Sequence, residues 1–192
     1  MNTNKLDDLA SFKLRHRDDV REQLGVWRWA GMQEYMGEIL AEVLDKRVID
    51  FGGAAGPLGF GSVVVDKTGG TAGLFSSLSK VVRQQVPTVI FTSHTLEHVK
   101  HLNGTLDEMA AIADTIICHV PSWKNPAWHA GVDRPRKDVD GPHLWTFCLS
   151  DDPRSLTAGH LRIDYMIRKR WPNVTLATHC GDLSILVIAK KQ

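Results

Sequence analysis

The sequence predicts an α/β fold: a mostly parallel sheet in a three-layer arrangement, closed by a C-terminal antiparallel hairpin. Three observations carry this expectation. The run Val48-Ile-Asp-Phe-Gly-Gly-Ala-Ala-Gly56 is a short apolar stretch ending in an acid and a glycine cluster, which describes a buried strand breaking into a tight turn that a ligand can approach closely. Ten residues after Gly56, a second apolar run, Val63-Val-Val-Asp66, ends in another carboxylate. The chain closes with Val174-Thr-Leu-Ala-Thr-His-Cys-Gly-Asp-Leu-Ser-Ile-Leu-Val-Ile-Ala189, two strand-like runs about a Gly-Asp turn.

The remaining elements follow in order. Residues 5–24 carry alternating charges and read as a helix. Residues 27–44 place Trp27, Ala30, Met32, Tyr35, Met36, Ile39, Leu40, Val43 and Leu44 at roughly helical spacing, and this second helix is expected to cover the sheet edge or the cleft. Strands are expected at 47–51 and 62–66. Between them Gly56-Pro-Leu-Gly-Phe-Gly61 is rich in helix breakers, and only sixteen positions separate Asp50 from Asp66. A strand, a crossover helix and a further strand need about twenty or more, so the first crossover helix is expected to be shortened to a loop or a single turn. Residues 74–85 then read as a helix, which leaves the third strand missing or vestigial and reduces the sheet to about six strands.

Thr88-Val-Ile-Phe-Thr-Ser-His-Thr-Leu-Glu-His-Val99 reads as a strand, a turn and a helix start, with Glu97 near the positive end of the helix dipole. A helix at about 104–113 and a strand at 115–120 follow. Residues 121–143 are rich in proline, glycine, aromatic and charged residues without a clear period. Because this stretch leaves the carboxyl end of a central strand, where ligands sit in open α/β sheets, it reads as a lid over the acceptor. A short extended segment at 144–149 precedes a helix that starts at Asp152-Pro-Arg-Ser and runs to about Arg170.

The 192 residues suit one domain, with residues 1–45 a helical cover and 46–192 the core. Lys and Arg number 23 against 22 Asp and Glu, for a net charge of +1. This even balance, without a segregated basic face, points to neither a nucleic-acid nor a membrane partner. Cys118, Cys148 and Cys180 are odd in number and widely spaced, with no Cys-x-x-Cys pair, so neither a disulfide framework nor a cysteine zinc site is expected. The N-terminus is polar and no run approaches the roughly 20 apolar residues of a membrane span. A cytoplasmic protein with reduced thiols is the expectation; oligomeric state is not readable.

At this point the chain resembles the class I S-adenosylmethionine-dependent methyltransferases of the small-molecule, Leu-Glu-His branch, in a trimmed variant with a Rossmann-like sheet. Asp50-Phe-Gly-Gly-Ala-Ala-Gly56 looks like their first motif, Asp66 like the ribose-binding acid, and Ser93-His-Thr-Leu-Glu-His98 like their segment after the fourth strand. The resemblance spans roughly residues 47–190. It implies S-adenosyl-L-methionine as cofactor, held by Asp50, Gly52, Gly53, Ala54, Gly56, Asp66, Ser93 and His94, with Glu97 and His98 supporting the turn. Ala54 departs from the pattern, standing where the family usually has glycine. The implied activity is methyl transfer to a small molecule or a sugar hydroxyl.

A hydroxyl acceptor must lose a proton, and histidine titrates near neutrality. His119 and His143, at or beyond the carboxyl ends of expected strands, are the candidate bases, while Trp123, Trp128 and Trp145 offer aromatic faces to an acceptor or a sulfonium. Two other readings stay open. A degenerate methyltransferase-fold binding module without activity accounts for the trimming and Ala54. A zinc hydrolase is suggested by His94-Thr-Leu-Glu-His98, which matches His-x-x-Glu-His, although that chemistry needs both histidines on one face of a helix; the main reading assigns no metal.

Overall fold

The structure is a computed structural model, and it describes residues 31–53, 63–66, 74–75, 77–125, 130, 143–152, 159–181 and 184–192. The expected helix at 5–24, the first crossover, and most of the expected lid lie outside these residues, as do Ala54, Gly56 and Trp128.

A 3-10 turn at Gly31–Tyr35 leads into helix α1 (Met36–Val43) and strand β1 (Arg47–Phe51). β2 (Val63–Val65) and β4 (Thr88–Ser93) pair with it in parallel on either side, and β3 (Leu74–Phe75) pairs in parallel with β2. Helix α2 (Leu102–Ile112) leads to β5 (Thr115–Pro121), which is parallel to β4. A two-stranded parallel pair, β6 (Phe147–Cys148) and β7 (Leu161–Arg162), stands apart from the main sheet and precedes helix α3 (Ile163–Arg168). The antiparallel strands β8 (Asn173–Cys180) and β9 (Ser184–Lys190) close the chain, with β9 inserted beside β5. The main sheet has seven strands in the order β3-β2-β1-β4-β5-β9-β8.

Side-chain alternation along the central strands assigns the two faces. Ile49, Ile90, Ile116, Cys118 and Val187 point to one core, which α2, α3 and the fully buried Trp171 complete. Val48, Val89, Phe91, Ile117 and Leu186 point to the other, against Met32, Ile39 and Val43 of the N-terminal helical segment. The expected α/β architecture, three layers with a parallel sheet and an antiparallel terminal hairpin, is therefore the one observed. Such runs are apolar at nearly every position because both faces are covered.

Three expectations about the elements need correction. The sheet has seven strands rather than about six, because Leu74–Phe75 pairs with Val64 and Val65 as a two-residue third strand. Among the described residues no α-helix occupies 74–85. Ser77 caps a single 3-10 turn at Leu78–Lys80, accepting a hydrogen bond from the backbone N–H of Ser79, and the β-branched Val81, Val82 and Val86 before Pro87 then favour extended backbone. The helix expected from Asp152 to Arg170 is interrupted, since Gly159 adopts φ 73° and residues 161–162 pair with β6 before α3 begins. The 31–43 segment packs on a sheet face rather than at the sheet edge, and its first turn is 3-10 rather than α.

Candidate functional site

The strand order reverses direction between β1 and β4, and the loops leaving these two strands at their carboxyl ends form the crevice where open α/β sheets bind ligands. From β1 comes the glycine turn. Gly52 has φ 84°, which favours glycine, and a Cβ there would lie 2.0 Å from Thr95 Oγ1. The turn after β4 therefore packs directly on the turn after β1. A Cβ at Gly53 would fall 2.0 Å from Oδ2 of Asp50, whose side chain is buried against the turn it precedes. The Gly52 N–H donates to the Val65 carbonyl at 2.8 Å, fixing the ends of β1 and β2 together. Asp66, the next residue, is half-buried at the same edge.

The β4 side is built from side chains. Thr95 Oγ1 donates to the Ser93 carbonyl at 3.1 Å, and the His94 N–H donates to the His119 carbonyl at 2.8 Å, with His94 at φ 50°. Residues Leu96–His98 form one 3-10 turn and α2 begins only at Leu102. The helix start expected at this motif is thus displaced, and Glu97 sits in an isolated turn rather than at a helix dipole. His94 and His98 accordingly do not form the helical pair that His-x-x-Glu-His chemistry needs.

His119 is fully buried within β5. Its Nδ1 lies 3.0 Å from Ser93 Oγ and its Nε2 2.8 Å from Ser184 Oγ, while its ring meets that of His94 edge-on at 4.8 Å between centroids. His143 is also buried and lies 3.7 Å through Nε2 from Glu97 Oε1. The same carboxylate oxygen is 3.5 Å from His94 Nδ1 and 4.0 Å from His98 Nε2, and the His98 and His143 rings stand edge-on at 4.7 Å. Glu97 itself has no solvent exposure. A single chain of contacts therefore runs from Gly52 through Thr95 to His94, Ser93 and His119 on one branch and to Glu97, His98 and His143 on the other.

Sequence reasoning missed Ser184, which reaches His119 from the closing hairpin, and Thr95, which dictates the glycine at 52. It also missed a polar relay beside the site. His179 places Nδ1 3.4 Å from Ser122 Oγ and Nε2 2.9 Å from Asp152 Oδ2, and the Trp123 indole N–H donates to that oxygen at 3.0 Å. Burial alone would raise the Asp152 carboxyl, but the hydrogen bonds from Trp123, His179 and the Leu149 N–H, with the charge of His179, outweigh it and hold the group below the ordinary carboxylate range. The Trp145 indole N–H is likewise engaged, donating to the Val99 carbonyl at 2.6 Å. Cys118, Cys148 and Cys180 are buried. Burial pushes the Cys118 thiol up strongly and the Cys180 thiol up to about 12, so neither supplies a thiolate nucleophile.

No known family profile and no curated protein sequence matches the chain. Solved structures resemble it in fold. The N-terminal domain of EvdMO1, solved with S-adenosylhomocysteine and D-fucose, is 12% identical with a TM-score of 0.45, the match covering 85% of this chain and 83% of that one. A methyltransferase from Mesorhizobium loti, dependent on S-adenosylmethionine, is 15% identical over 84% of this chain and 98% of its own, with a TM-score of 0.47. Magnesium protoporphyrin IX methyltransferase from Synechocystis, with S-adenosylhomocysteine bound, is 11% identical over 100% and 96%, with a TM-score of 0.48. The sheet order and the antiparallel terminal hairpin make the fold Rossmann-like. The functional reading below rests on this chain's own residues, because likenesses this remote concern the fold alone.

Proposed function

We propose that the protein is an S-adenosyl-L-methionine-dependent methyltransferase acting on a small molecule or a sugar hydroxyl. The observation that carries this reading is the juxtaposition, at the sheet's switch point, of a glycine turn that admits no Cβ and a half-buried acid at the end of the neighbouring strand. The residues present fit such a cofactor. Asp50, Gly52 and Gly53, with Ala54 and Gly56 beyond the described turn, would pass close to it; Asp66 would accept from the ribose hydroxyls; Ser93 and His94 would line its other side. The cofactor when bound supplies a methyl group on a sulfonium, ready for in-line displacement.

This chain's residues then have two tasks. The first is positioning, which supplies much of the rate when a lone pair is held opposite the reacting carbon. The second is accepting the proton that a hydroxyl acceptor loses. His143 and His119 are the groups proposed for it. His143 stands 3.7 Å from the Glu97 carboxylate, whereas His119, between two serine hydroxyls, would act through Ser93 or Ser184. Three widely spaced cysteines without a Cys-x-x-Cys pair support a reducing compartment such as the cytoplasm. Among the described residues no helix is long and apolar enough to cross a membrane.

The test is turnover. Protein incubated with methyl-labelled cofactor and a panel of hydroxylated small molecules, sugars included, is expected to release S-adenosylhomocysteine with one acceptor class and to lose that activity in His143→Ala. Cofactor binding without transfer to any acceptor favours the binding-module reading instead.

A further inference from the structure

The side chains of Glu97, His98 and His143 each offer a ligand atom, and these three atoms lie within 4.8 Å of one another. We propose that they form a binding site for one divalent metal ion of the zinc class, distinct from the cofactor turn. The donor set is chemically specific. Two imidazoles and one carboxylate suit zinc and its neighbours in the first transition row, not magnesium or calcium, which take oxygen ligands. Three protein ligands also leave a coordination position open.

The distances are close to what such an ion requires. Metal–ligand bonds of about 2.0–2.1 Å in a tetrahedron place the donors about 3.4 Å apart. Glu97 Oε1 lies 3.7 Å from His143 Nε2 and 4.0 Å from His98 Nε2, and all three ligand atoms lie within 4.8 Å of one another, so inward shifts of at most about 1.4 Å complete the geometry. His94, 3.5 Å from the same oxygen, stands outside the triad and would orient the carboxylate, as outer partners of metal ligands commonly do.

The arrangement is held by the backbone rather than by chance rotamers. Glu97 and His98 share one 3-10 turn. His143, far away in sequence, is brought to that turn because the Leu144 N–H donates to the Glu97 carbonyl at 2.7 Å and the Trp145 indole N–H to the Val99 carbonyl at 2.6 Å. Burial adds a second argument. The Glu97 carboxylate has no exposure, and a bound cation would offset the cost of burying its charge. The ion-pair partners seen for it among the described residues are imidazoles, which are also metal ligands. His98 retains 16% side-chain exposure and marks the side from which an ion enters.

The site differs from the one that His-x-x-Glu-His suggests. There the two histidines of the motif bind and the glutamate acts as base; here Glu97 is a ligand and His143 takes the place of His94. An open position beside the acceptor crevice would bind and acidify a hydroxyl, relieving His143 of the role of base; that consequence alone rests on the methyl-transfer reading.

The full chain, freed of metal with a chelator and dialysed, is to be titrated with Zn2+ by calorimetry and with Co2+ by visible absorption. One Zn2+ per chain, a Co2+ spectrum of low coordination number and no response to Mg2+ are expected. His143→Ala and His98→Ala should each weaken Zn2+ binding by about 100-fold or more; His143→Gln, which keeps bulk and a hydrogen-bonding group, decides the matter should the alanine variant fail to fold. Absence of saturable Zn2+ binding, or unchanged affinity in a folded His143 variant, overturns the site. S-adenosylhomocysteine binding, measured on the same samples, separates this proposal from the methyltransferase reading: metal bound without cofactor contradicts only the latter, cofactor bound without metal only the former.

Discussion

The two halves of the sheet are built differently. Among the described residues, the half formed by β1, β2 and β3, the short half, has strands of five, three and two residues, and the half formed by β4, β5, β9 and β8, the long half, has six, seven, seven and eight. The short half shapes its ligand edge with backbone: the glycine turn, the Gly52 to Val65 hydrogen bond, and the single acid Asp66. The long half shapes its edge with side chains, concentrating His94, Glu97, His98, His119 and His143 on a scaffold buried on both faces. A half that holds titratable groups at hydrogen-bond distance needs full strands and two packed layers to fix them.

If that division holds, the largest stability loss belongs to the long half. Trp171 is fully buried in the core that supports β5 and β9, and Trp171→Ala is expected to cost about 3–5 kcal/mol in denaturant unfolding. A loss under 1 kcal/mol would blur the comparison. Next comes the junction of the halves. Gly52→Ala forces a Cβ into Thr95 at positive φ and is expected to cost about 1–3 kcal/mol. The paired change Gly52→Ala with Thr95→Ala should recover part of the loss, because it removes the colliding side chain but not the backbone strain.

Asp66→Ala sharpens the contrast further. It should weaken cofactor binding by about 1–3 kcal/mol while unfolding stability stays within about 0.5 kcal/mol of the wild type. A large stability loss would mean that Asp66 is a structural residue of the short half.

The smallest effect concerns pH and lies beside the long half. Asp152 is held below the ordinary carboxylate range, so its stabilising contribution is complete above about pH 4, the unfolded value, and is lost as pH falls through the lower folded value. Asp152→Asn removes that dependence. The stability gap between wild type and variant should close in acid, as followed by thermal melts across an acidic series.

How far the sequence revealed all this also follows the division. The apolar runs of β1, β4, β5 and β9 are legible because strands covered on both faces are apolar throughout, and the glycine turn and Asp66 are legible because they are local. β3 was not, since two residues carry no period and its pairing depends on β2. Residues 74–85 mimic a helix through composition, yet Ser77 caps only one turn. Least visible was the histidine cluster. The motif from His94 to His98 announces itself, but nothing local says that His143 returns to it, because that placement rests on the Leu144 to Glu97 hydrogen bond. His119 could be placed at a strand's carboxyl end, while Ser184, its partner from the closing hairpin, could not.

The central claim is that the turn after β1, with Asp66 at the end of β2, binds the cofactor, and calorimetric titration of the folded wild-type chain with S-adenosylhomocysteine tests it most directly. The account expects saturable one-to-one binding that Asp66→Ala weakens. A folded protein that gives no binding heat up to millimolar S-adenosylhomocysteine would contradict it.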